Sequence, residues 1–177
     1  SGSGKNKKLN DTIYKLIKSV EKNGDSIIED FNIILDSNGN YVFNVEGTRL
    51  LRFLADVYGY ADTDELEEEE RVATAQEVID FLASKKNFAI GDYAIEGDSS
   101  SEFIVGKGYT KRELLQMVTV RYSMKLTSYR KYIGTTVAKD ISDATVAVIM
   151  ESSAELPGVT IVEDTVRRYT EDSVYFA

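Results

Sequence analysis

The stretch Phe31-Asn-Ile-Ile-Leu-Asp-Ser-Asn-Gly-Asn-Tyr-Val-Phe-Asn-Val45 decides how the rest of the chain is read. Two apolar runs bracket Asn38-Gly39, a pair that tolerates the positive φ of a tight turn. Together they make the strongest short-range hairpin signal in the sequence. A two-stranded hairpin is marginal in water, so it needs cover from neighbouring elements. Helical periodicity on both sides offers that cover. Upstream, Asn10 or Asp11 can cap a helix whose apolar face is Ile13, Leu16, Ile17 and Val20, with Gly24 as the stop. Downstream, Thr48 can cap an amphipathic run through Leu50, Leu51, Leu54 and Val57 that stops at Gly59.

Further along, Thr74-Ala-Gln-Glu77 fits a capping box and predicts a helix carrying Val78, Ile79 and Leu82, ending near Asn87. Residues 88–105 read as a second hairpin, with Gly97-Asp-Ser-Ser-Ser101 at its tip. Thr110-Lys-Arg-Glu113 is a second capping box. After it, Val118, Val120, Tyr122, Met124 and Leu126 alternate as in a strand, while Leu114, Val118, Tyr122, Leu126, Tyr129 and Ile133 fall at helical spacing. No Gly or Pro interrupts 109–133, which favours one long helix. The tail predicts strands at 144–150, 159–162, 165–169 and 174–176, with Leu156-Pro157-Gly158 as a turn. Helices and strands without regular alternation of the two predict an α+β class: one domain, its antiparallel sheet and hairpins packed against three to four helices. Ser1-Gly2-Ser3-Gly4 reads as a cloning remnant, and the only candidate internal boundaries are 62–71 and the surroundings of Gly134.

Composition excludes more function than it suggests. The 177 residues contain no Cys and no His. Disulfides, thiolate nucleophiles, imidazole bases and Cys- or His-ligated metals are therefore absent. The apolar share of 42% is that of a chain with a packed core, and no apolar run approaches a membrane span. No cofactor is expected, and a cytoplasmic location is the expectation.

Charge is segregated within the net −9. Residues 62–71 hold seven acids and one base, hence −6, while 107–139 hold eight bases and one acid, hence +7. Glu67, Glu68, Glu69 and Glu70 are the acidic interaction candidates, although such runs are most often solvated loops. In the basic segment the candidates are Lys111, Arg112, Arg121, Lys125, Arg130 and Lys131, with Tyr122 and Tyr129 as stacking partners. The bland alternative puts those Tyr residues in the core and the bases on the wet face.

Other motifs carry little. Asp36-Ser-Asn-Gly-Asn40 starts like a calcium loop, but Tyr41 stands where Gly is required and Gly47 where the bidentate acid belongs. Gly106-Lys-Gly108 fits no phosphate-binding fingerprint. Asn10-Asp-Thr12 matches a glycosylation sequon by chance. Glu163 with Asp164, or Asp140 with Asp143, are read as turn acids rather than metal ligands, and no catalytic residue is assigned.

Leu156-Pro-Gly-Val-Thr-Ile-Val-Glu-Asp164, followed by Arg168-Tyr-Thr-Glu-Asp172 and Ser173-Val-Tyr-Phe-Ala177, resembles the C-terminal part of tailed-bacteriophage major capsid proteins. The resemblance implies a virion or host-cytoplasmic protein without enzymatic activity, structural or assembly-related, that acts through protein contacts. The +7 and −6 segments could then pair between copies. Two alternatives come from the charges: an acidic inhibitor that mimics nucleic acid and blocks a host or defence enzyme, and a nucleic-acid binder using 107–139. Expected partners are thus a protein or a second copy, with nucleic acid less favoured and no membrane.

Overall fold

The computed structural model describes residues 2–128, 134–166 and 169–176. The fold is α+β, and its chain divides into two compact units, one formed by Ser1–Asp30 with Thr119–Ala177, the other by Phe31–Val118.

In the Phe31–Val118 unit, β1 (Ile33–Leu35) and β2 (Tyr41–Phe43) pair antiparallel, Ile34 opposite Val42. Their turn is closed as the Asn-Gly signal requires. Gly39 has φ +79°, and the Asp36 carboxylate accepts the amides of Asn38 and Asn40 at 2.9 Å each. Asp36 is thus committed to its own turn. Helix α2 (Gly47–Tyr58) starts one residue before Thr48, with Glu46 as its N-cap, and ends on left-handed Gly59. It buries Phe53, Leu54, Ala55 and Val57; the rings of Phe31 and Phe43 meet Phe53 edge-on at 5.4 and 6.3 Å. Such contacts add about 1 kcal/mol each beyond the buried area.

The short α3 (Glu68–Arg71) precedes α4 (Ala75–Ala83), whose Thr74/Glu77 capping box forms as read. This helix stops at Ala83, short of Asn87, where the Ser84 hydroxyl and the Asn87 amide both donate to the Phe81 carbonyl. The second hairpin consists of β3 (Gly91–Tyr93) and β4 (Phe103–Val105). Lys107 clamps it by donating to the carbonyls of Tyr93 at 2.7 Å and Ala94 at 3.1 Å.

Helix α5 (Lys111–Thr127) resolves the ambiguity of 114–126 in favour of the helix, opened by the Thr110/Glu113 box. Its first eight residues belong to this unit and the remainder to the other.

In the other unit, α1 (Gly2–Glu21) buries Ile13, Leu16, Ile17 and Val20, the apolar face seen in the sequence. Burying each such side chain contributes about 2 kcal/mol. The helix starts upstream of the expected cap, so Asn10 is a mid-helix residue and nearly fully buried. Segment 144–150 is not a strand but lies in helix α6 (Asp143–Glu151). Capping overrides its β-branched composition: the Ser142 hydroxyl accepts the Thr145 amide at 3.3 Å, and Thr145 and Ile149, one turn apart, are buried.

Asp25 ties the loop after α1 to this helix start. Its carboxylate accepts the Ser142 amide at 3.0 Å, the Ser142 hydroxyl at 2.8 Å and the Thr145 hydroxyl. Partial burial pushes its pKa up, but the bonds from Thr145 and Ser142 outweigh this and hold it below the ordinary 3.8. Because the folded pKa is the lower one, its stabilisation is present above 3.8 and is lost as pH falls through the folded value. Asp25→Asn should therefore cost about 1–2 kcal/mol at pH 7, with the gap to wild type shrinking at pH 3. Thermal midpoints at the two pH values check this; an equal gap at both would contradict it.

The strands of this unit form one sheet in the order β5 (Thr135–Ala138), β7 (Tyr169–Phe176), β6 (Val159–Val166). The tail segments expected at 159–162 and 165–169 merge into one long hairpin, and β5 had no counterpart in the sequence reading. Pairing of β6 with β7 runs without a break from Val159 opposite Phe176 to Val166 opposite Tyr169. Glu163 and Asp164 are therefore strand residues, not turn acids. By contrast, β5 is short and carries a register shift between Thr136 and Ala138.

Candidate interaction surface

The acidic run folds into two consecutive one-turn caps. Glu65 accepts the Asp62 amide at 3.0 Å, and Glu70 accepts the Glu67 amide at 2.8 Å. Between them Leu66 is buried and pins the segment to the core. Glu67, Glu68 and Glu69 remain exposed, whereas Glu70 is half-buried and also accepts the Tyr60 hydroxyl at 3.4 Å. That bond is the main reason the Tyr60 hydroxyl is held above its ordinary pKa, with burial and the neighbouring acids adding to it. Arg71 donates to the Thr63 carbonyl, closing the turn. This is a compact, internally bonded corner.

The basic candidates do not form one stripe. Lys111 and Arg112 are exposed on the first turn of α5. The Lys111 ammonium stands 4.8 Å from the Tyr41 ring centre, and its carbonyl accepts the Tyr41 hydroxyl at 2.7 Å. Burial, with Asp80 adding, pushes that hydroxyl's pKa up to about 12. Arg121 and Tyr122 are buried and drop out as surface candidates, while Lys125 is exposed on the last turn. Tyr129, Arg130 and Lys131 lie outside the described residues.

Arg121 shows what the periodic pattern hid. Its guanidinium donates to the Asn10 side-chain oxygen at 2.5 Å and to that of Asn6 at 2.9 Å, joining α5 to α1. Burial lowers its pKa to about 10, which leaves it charged at neutral pH. Asn6 did not stand out in the sequence, and Asn10 was read there as a helix cap, because only the fold brings them to Arg121.

The sheet contributes a different kind of surface. Among the described residues, β6 pairs with β7 alone, so its outer edge carries main-chain donors and acceptors with no strand beside them. Thr160 and Val162 are exposed on it, Val162 to 40%. No helix among the described residues is long and apolar enough to cross a membrane.

The fold is α+β, and among the described residues the long strand β6 has no strand beside its outer edge. The chain belongs to the penicillin-binding protein dimerisation domain family, whose model matches residues 3–176. No curated protein and no solved structure matches the chain significantly. The family match spans nearly the whole chain and overturns the bacteriophage capsid resemblance, which rested on 156–177 alone. With it fall the virion structural or assembly role, the nucleic-acid-mimicking inhibitor and the nucleic-acid binder. The family description supports self-association through protein contacts and lends nothing to a nucleic-acid partner.

Proposed function

We infer that this chain is the self-association module of a bacterial penicillin-binding protein and carries no catalytic centre of its own. The family match over residues 3–176 carries this reading. Chemistry agrees with it. A β-lactam-reactive site uses a Ser-x-x-Lys nucleophile together with Ser-Asp-Asn and Lys-Thr-Gly motifs. Ser19-Val-Glu-Lys22 and Ser128-Tyr-Arg-Lys131 have the first spacing, but neither companion motif occurs in the sequence. The Ser19 hydroxyl is engaged with the Lys15 carbonyl one turn back in α1, at 2.9 Å, an ordinary position for a helical serine. With this role goes a location at the bacterial cell envelope rather than in the cytoplasm, a reading that the family match supports.

Two differently tagged copies, co-expressed, test the reading. Purification through one tag should carry the other copy along, and fluorescent penicillin should label neither. Recovery of a single copy would contradict the self-association role, and covalent labelling abolished by Ser19→Ala would contradict the non-catalytic one.

A further inference from the structure

We propose that the outer edge of β6 is the dimer contact, and that two copies pair β6 to β6 antiparallel about a two-fold axis, joining their three-stranded sheets into one of six strands. The proposal rests on the self-association reading above and names its surface. Open strand edges are templates for another strand, and folded proteins usually guard them with short length, bulges, Pro or charged side chains, which β6 carries only in its second half, at Glu163 and Asp164. In this sheet β5 has four residues and a register shift. Strand β6 has eight residues, an unbroken ladder, and no Pro, Gly or Lys. Its first half, Val159-Thr-Ile-Val162, is uncharged and entirely β-branched, the composition that fits a pleated ladder.

The occupant follows from symmetry and charge. A two-fold axis makes the contact self-complementary, and an antiparallel strand pair is the sheet geometry that satisfies one. Glu163 and Asp164 then set the register. An axis centred on them would place like charges directly opposite, which is unfavourable. An axis within 159–162 sets the uncharged halves against each other and sends the two acidic halves to opposite ends. Few rungs are formed, so the contact belongs to the weak, small class of interfaces.

The cysteine-free sequence gives a clean test in the full chain. Thr160→Cys, Ile161→Cys, Val162→Cys and Thr165→Cys are made singly and treated with a short bismaleimide. At least one of the first three should yield a covalent dimer, and Thr165→Cys, many rungs from its own copy, should not. Val162→Lys, at an exposed position, should weaken dimerisation at least tenfold while leaving the thermal midpoint unchanged; Thr160→Lys replaces it if that protein does not fold. A wild-type dimer whose β6 cysteines fail to link, or which tolerates both lysines, would overturn the edge contact and leave self-association to another surface. A chain that stays monomeric would overturn both.

Discussion

Gly91→Ala is expected to lower folding stability by about 3 kcal/mol, the upper part of the range for overpacking. A Cβ at Gly91 would lie 2.2 Å from the Ile104 carbonyl oxygen and 2.9 Å from the Gly106 nitrogen. Both are main-chain atoms, so no side chain can swing away to make room. Gly106 cannot retreat cheaply either, because its amide donates to the Ile90 carbonyl at 2.9 Å. Relieving the clash means opening the β3–β4 ladder where Asp92 faces Ile104. Gly97→Ala at the hairpin tip is the control. Its φ is +78° but nothing lies within 4 Å of the added carbon, so only the conformational strain of about 1 kcal/mol remains. Urea midpoints of the two variants should differ clearly; equal losses would mean that the close approach at Gly91 does not exist.

Arg121→Ala should cost a similar amount, about 3 kcal/mol, for a different reason. Arg121 is buried, and its guanidinium bonds two asparagine side chains of α1. Charge-assisted hydrogen bonds contribute about 1.5–3 kcal/mol, and truncation removes both of these from the interior. Lysine keeps the charge but lacks the fork that reaches both oxygens, so Arg121→Lys should recover only part of the loss. Chemical unfolding of the two variants provides the check. Full rescue by lysine would show that charge alone, rather than the two-pronged geometry, matters here.

What the sequence revealed depended on how far apart the deciding atoms lie. Asn38-Gly39, Thr74/Glu77 and Thr110/Glu113 act within four residues, and each produced the turn or helix start expected of it. The helix at Asp143–Glu151 was missed because its β-branched composition outweighed the local Ser142 cap, and Asp25, which braces that cap, is 117 residues from Ser142. Arg121 was placed on the wet face because its acceptors are 111 and 115 residues away. The basic stripe dissolved once Lys111 proved to be stacked on Tyr41 and Arg121 to be interior. Function was harder still. The family match extends over residues 3–176, whereas the capsid resemblance drew on 156–177 alone. A short tail of β-branched and acidic residues therefore pointed to the wrong family.

Sedimentation equilibrium of the purified chain over a wide concentration range tests the self-association claim most directly. The apparent mass should rise with concentration from 19.8 kDa toward twice that value. A mass that stays at 19.8 kDa throughout would contradict it.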